Sequence, residues 1–157
     1  MTLARTRRLL AALAITVLVI TGCTAGGASP SASAAADGNV IEVTLQEWAV
    51  VPSPATASAG DITFQITNDG PADVHEFVVL RTDLDPADLP TDEHGAVTED
   101  GEGIEVVDEV EDIPVGESQE LAVSLEAGNY VLLCNIYSED EDEAHYAMGM
   151  RVAFAVE

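Results

Sequence analysis

Lysine is absent from this 157-residue chain, and arginine occurs only at positions 5, 7, 8, 81 and 151. All 29 acidic residues follow position 36, where only Arg81 and Arg151 oppose them. A surface this acidic repels phosphate, which excludes a nucleic-acid binder. It suits basic partners or hydrated cations, or serves solubility alone. Histidine occurs three times and never as an H-x-H pair, too few ligands for a cluster of several metal ions. No G-x-S-x-G elbow, P-loop or Rossmann fingerprint is present. The acidic runs 98–105 and 138–143 do not have the spacing of an EF-hand loop. Two cysteines cannot make a tetrathiolate zinc site.

The first residues do not belong to a folded domain. Arg5, Arg7 and Arg8 precede an apolar run of 12 residues, 9–20. That length suits the core of an export signal and is too short to span a bilayer as a helix. Ile20-Thr21-Gly22-Cys23 follows and resembles the bacterial lipobox. The resemblance implies a signal peptide over 1–22, cleavage before Cys23, and lipidation of that cysteine on the outer face of the cytoplasmic membrane. An ordinary secretory cut near Ala25 or Ala28 is the other reading. Residues 24–38 are small, polar and of low complexity, so 23–38 reads as a flexible tether. Its root-mean-square reach is about 20 Å. If Cys23 takes lipid, Cys134 is a lone thiol outside the cell, which is an oxidation liability unless something holds it. A metal would do so. A Cys23–Cys134 disulfide and an inert buried thiol are the competing accounts.

Residues 39–157 read as one all-β domain. Residues 40–47 alternate, with Ile41, Val43 and Leu45 on one face; 62–67 repeat this with Ile62, Phe64 and Ile66, and 120–125 with Leu121, Val123 and Leu125. Further strands are expected at 74–80, 129–134 and 150–156, with a weaker one at 105–110. Turn formers separate them, among them Asn68-Asp69-Gly70-Pro71. Short strands at this spacing predict a sandwich or barrel. Residues 81–103 are acidic and rich in turn formers. They read as a surface excursion, with Asp85 and Pro86 placed to start a short helix.

Three segments carry chemistry: Val74-His75-Glu76-Phe77, Tyr130-Val131-Leu132-Leu133-Cys134, and His145-Tyr146-Ala147-Met148-Gly149-Met150. They supply His, Cys, His and Met in that order. A soft thiolate, two imidazoles and a weak thioether are the ligand set of a blue-copper electron-transfer site. Strand parity is a separate check. His75 shares a face with Phe77 and Val79, Cys134 with Tyr130 and Leu132, and Met150 with Val152, Phe154 and Val156. Three candidate ligands thus point toward the core from strand ends, and His145 lies in the loop between two strands. Taken singly, His75 could be a core histidine, Cys134 a buried hydrophobe, His145 a surface residue and Met150 core packing. Met148 competes with Met150, which is preferred for its core-facing parity and its place after Gly149. His94 is expected on the surface and Trp48 in packing.

From about position 40 onward the chain resembles the cupredoxins, the plastocyanin- and azurin-like family. The matching parts are His75, Gly128-x-Tyr130-x-x-x-Cys134 and His145-x-x-x-Gly149-Met150. The resemblance implies a Greek-key β-sandwich or barrel of about seven or eight strands. It also implies one copper ion bound by His75, Cys134 and His145, with Met150 axial. Two departures stand out. Ten residues separate Cys134 from His145, and Glu76 follows His75 where the family often has asparagine. The expected role is that of a monomeric electron carrier and not an enzyme, its acidic loop 138–143 steering a basic redox partner and the edge of His145 passing the electron. Copper delivery at the cell envelope and a metal-free binding domain are the alternatives.

Overall fold

The computed structural model describes residues 39–157. The expected signal peptide 1–22, the lipid acceptor Cys23 and the tether 23–38 lie outside the described residues. In chain order the elements are β1 (Asn39–Gln46), β2 (Ala49–Ser53), β3 (Thr56–Ala57), β4 (Gly60–Asn68), β5 (His75–Arg81), β6 (Glu105–Ile113), β7 (Ser118–Leu125), β8 (Gly128–Leu133), β9 (Tyr137–Ser138), β10 (Glu143–Ala144), the one-turn helix α1 (His145–Met148) and β11 (Arg151–Val156). Eight of these strands have five residues or more, in line with the seven or eight expected.

Two sheets stack face to face. One has the order β2-β1-β4-β7 and the other β3-β11-β8-β5-β6; β9 and β10 form a separate ribbon. β1 runs parallel to β4 and antiparallel to β2. Pro52 lies in β2, an edge strand, where its missing N–H removes nothing from the ladder. The alternating residues of β1 and β4 bury Ile41, Val43, Leu45, Ile62, Phe64 and Ile66, and leave Glu42, Gln46 and Gln65 in solvent. Across the sandwich they meet Phe77, Val79, Tyr130, Leu132, Phe154 and Val156. Phe64 is central, its ring 5.2 Å from that of Phe77 and 5.7 Å from that of Phe154. Each such side chain contributes about 1.5–3 kcal/mol by leaving water.

A second core lies on the outer face of the five-stranded sheet. Val78, Leu80, Val131 and Leu133 point outward and are covered by Leu89, Val97 and Tyr146. The acidic segment 82–104 is therefore a cover and not only a surface excursion. The short helix expected to start at Asp85 and Pro86 does not form. Asp85 caps a single turn, its carboxylate accepting the Ala87 N–H at 2.9 Å and its carbonyl the Asp88 N–H at 2.8 Å. Pro90 then disfavours helical backbone at Leu89, and Leu89 drops into the second core instead. Among the described residues no helix is long and apolar enough to cross a membrane.

Candidate metal centre

Four pieces of chain meet at one end of the sandwich. The first ends at His75, and its preceding loop is organised by Asn68. This side chain is fully buried and donates to the carbonyls of Asp73 and Ile113, both at 2.8 Å, while its oxygen accepts the Gly70 N–H at 2.8 Å. Thus the Asn68-Asp69-Gly70-Pro71 turn delivers His75 to the start of β5. The second piece is the end of β8, where Cys134 follows the last paired residue. The third is α1, which carries His145 at its first position.

The fourth piece is the β1–β2 turn, and the sequence reading missed its part in the site. Glu47 lies against His75, its Oε1 3.7 Å from Nε2, and the Trp48 ring sits edge-on to His145 with centroids 5.1 Å apart. No motif in the sequence marks this turn as part of the site.

His75, Cys134 and His145 come together. His75 Nδ1 is 3.2 Å from His145 Nδ1, and Cys134 Sγ is 3.3 Å from His145 Nδ1 and 4.0 Å from His75 Nδ1. All three residues are buried, and their donor atoms lie within 4.8 Å of one another. Burial pushes the Cys134 thiol up to about 12, against the pull of the Glu76 and Ile136 N–H groups. Burial also holds both imidazoles below the ordinary histidine range, with His145 adding to the effect on His75. Three neutral donor groups meeting in a buried site are ready for a cation, which would convert the thiol to thiolate.

Met150 is fully buried in the same core cluster as Cys134, and its carbonyl accepts the Cys134 N–H at 3.1 Å. Met148 is 43% exposed, which favours Met150 of the two. Gly149, between them, has φ of 125°, and a Cβ there would meet the Trp48 carbonyl oxygen at 3.2 Å. Only glycine allows the chain to turn from α1 into β11 so close to the β1–β2 turn.

Glu76 straps two ligand segments together. Its backbone N–H donates to Cys134 Sγ at 3.4 Å, and its carboxylate accepts the Asn135 N–H at 2.7 Å. The carboxylate thus ties the start of β5 to the segment that follows Cys134. Burial, together with the nearby Glu109, Glu99 and Glu111 charges, pushes its carboxyl up to about 7, opposed by the Asn135 N–H.

The long loop between Cys134 and His145 is held at both ends. Asn135 exchanges two hydrogen bonds with the backbone of Val97, at 2.5 and 3.0 Å. Tyr146 donates to the Pro86 carbonyl at 2.7 Å and accepts the Leu89 N–H at 3.2 Å. Arg151 stacks over the Tyr146 ring and donates to the Tyr146 carbonyl. His145 is only 2% exposed, so its edge does not stand at the surface as expected. It lies under a shallow hollow lined by Asp73, Val74, Asp112, Ile136, Ser138 and Glu141. His94 is exposed, as expected, and stacks on Tyr137.

No protein-family model matches the sequence, and no curated protein does. Solved structures do resemble this one. Dithionite-reduced auracyanin from the photosynthetic bacterium Roseiflexus castenholzii is 21% identical, with a TM-score of 0.53 over 76% of this chain and 98% of its own. Auracyanin A, a "blue" copper protein from the green thermophilic bacterium Chloroflexus aurantiacus, is 19% identical, with a TM-score of 0.52 over 76% and 99%. An azurin from the methylotroph Methylomonas sp. strain J is 18% identical, with a TM-score of 0.50 over 76% and 98%. At such identities the likeness is one of fold, and the fold is that of the cupredoxins.

Proposed function

We propose that this protein binds one copper ion through His75, Cys134 and His145, with Met150 as the weak axial ligand, and works as a one-electron carrier and not as an enzyme. The observation that carries this reading is the buried meeting of two imidazole Nδ1 atoms and one thiol sulfur within 4.8 Å. The donor set fits the ion. One sulfur and two nitrogens, with no carboxylate oxygen among them, suit a soft or borderline transition metal, and a trigonal His2Cys set with a thioether nearby suits copper in both oxidation states. Copper supplies the one-electron couple when bound. The protein's part is to exclude water and to hold the donors in place, so that little has to move when the charge changes. The anchoring of Tyr146 and Asn135 in the second core favours fixed geometry over metal exchange, and so favours electron transfer over copper delivery.

The reading extends to placement and partners. Lipid on Cys23 would tether a monomeric domain to the outer face of the cytoplasmic membrane. Asp73, Asp112 and Glu141, which line the hollow over His145, would steer a basic redox protein. Association with such a partner then slows as salt rises, because steering between exposed charges is screened within about 10 Å at 0.1 M salt. Salt-independent rates would remove the steering role.

The deciding experiment is to load the protein with Cu(II) and record its visible spectrum, then repeat it with Cys134→Ser. An intense thiolate-to-copper band that is bleached by reductant and lost in the variant is expected. Equal and colourless copper binding by both proteins sinks the proposal. Cys23→Ser is expected to release the protein from the membrane fraction without changing the spectrum.

A further inference from the structure

Glu47 and His75 share an arrangement that the ligand set alone does not explain. With Nδ1 of His75 turned toward Cys134 and His145, its Nε2 points the other way, into protein. It is fully buried and has no hydrogen-bond partner among the described residues. The polar group facing it is the carboxylate of Glu47, 3.7 Å away and itself only 10% exposed. Oε1 of Glu47 is held by the N–H groups of Ala72 at 3.1 Å and Asp73 at 2.7 Å, in the loop that delivers His75, while Oε2 is buried without a partner. Burial alone would raise this carboxyl, but those two N–H groups and His75 hold it below the ordinary carboxylate range. Nε2 of His75 and Oε2 of Glu47 are each buried without a partner, so each bears an uncompensated desolvation penalty that a small shift of the carboxylate toward the ring would relieve.

We propose that Glu47 is a positioning residue: its carboxylate accepts the Nε2–H of His75, fixes the tautomer that leaves Nδ1 bare for a metal, and sets a negative charge on the far side of the ring. Outer carboxylates of this kind orient a ligating imidazole and raise its basicity. The charge stabilises the more positive oxidation state of the bound ion. Glu47 lies 28 residues before His75 in the chain, and the β1–β2 turn is what brings it there. The tautomer half of the proposal stands on the apoprotein; the charge half rests on the copper reading.

Both halves can be read separately in the full chain in detergent solution. In the copper-free protein, nitrogen–proton correlation spectra of the His75 ring are expected to show the proton on Nε2. A proton on Nδ1 overturns the proposal without reference to copper. Glu47→Gln keeps an oxygen for the Ala72 and Asp73 N–H groups and replaces the second, charged oxygen with a neutral amide nitrogen. Its preference for Cu(II) over Cu(I) is expected to fall about tenfold, within the usual range for losing such a partner. For a one-electron couple that is a rise in reduction potential of about 59 mV. The visible band should stay in place. A potential equal to that of the wild type rejects the charge role, which a merely structural residue would also give. Glu47→Ala is expected to show both tautomers of His75; should that variant not fold, the Glu47→Gln potential and the wild-type tautomer decide. A wild-type chain that takes up no copper defeats the copper reading, and the tautomer spectrum alone then judges Glu47.

Discussion

Strand β5 begins at His75, which has no exposed surface, and ends at Arg81, whose side chain keeps 39% of its exposure. Polar side chains tie the sandwich together at both ends. At the His75 end the ties are buried or partly buried: Asn68 to Ile113, Glu76 to Asn135, Tyr146 to Pro86 and Leu89. At the Arg81 end they face solvent. Arg81 pairs with Glu126 at 2.9 Å, and Asn129 donates to Asp83 at 2.9 Å. Equal distances therefore carry unequal weight. An exposed pair trades one set of hydrogen bonds for water's, whereas a buried one has no such alternative. The fold concentrates its costly-to-break contacts where His75, Cys134 and His145 meet.

That contrast predicts a graded set of outcomes. Tyr146→Ala removes an aromatic from the second core and both of its hydrogen bonds. It is expected to cost about 3–5 kcal/mol in urea unfolding and to speed metal loss; an unchanged off-rate would show that the clamp on α1 is not what holds His145. Asn68→Ala strands the carbonyls of Asp73 and Ile113 and is expected to cost about 2–3 kcal/mol, read from the same denaturation curves. Glu76 gives a pH signature in the apoprotein. Its folded-state value of about 7 lies above the ordinary 4.5. The folded state therefore favours the protonated form, and this stabilising share is complete below pH 4.5 and lost as pH rises through 7. Urea midpoints of the apoprotein are expected to fall over that window, and Glu76→Gln to flatten the fall; identical slopes would mean the carboxyl titrates normally. The smallest effect belongs to the other end. Arg81→Ala should shift stability by no more than about 0.5 kcal/mol and leave the copper spectrum untouched. A large loss there would break the contrast between the two ends.

Much of this was legible in the residues. The alternation of Ile41, Val43 and Leu45 and of Ile62, Phe64 and Ile66 marks strands with one wet face, and the structure keeps it. Parity placed His75 and Cys134 on the core side because side-chain direction along a strand depends only on counting. The second core was harder to see, although its signal was present. Phe77-Val78-Val79-Leu80 and Tyr130-Val131-Leu132-Leu133 do not alternate at all, which marks strands covered on both faces. The cover is made of Leu89 and Val97, single apolar residues in an acidic segment whose composition says surface. Glu47 was out of reach for another reason. Its role depends on which turn packs under which strand end, and no local pattern encodes that. Val50 and Val51 did not suggest β2 because Pro52 interrupts them, and an edge position excuses the proline.

Strand β6 closes the five-stranded sheet on one side, with Glu105, Asp108, Glu109, Glu111 and Asp112 among its nine residues. A bare sheet margin is an invitation to pair with another chain. Here a second copy approaching that margin would bring five carboxylates against five, so crowded neighbours on a shared surface repel before their backbones can zip together. The guard is made of ionisable groups alone, and an acid medium that discharges them leaves the margin open.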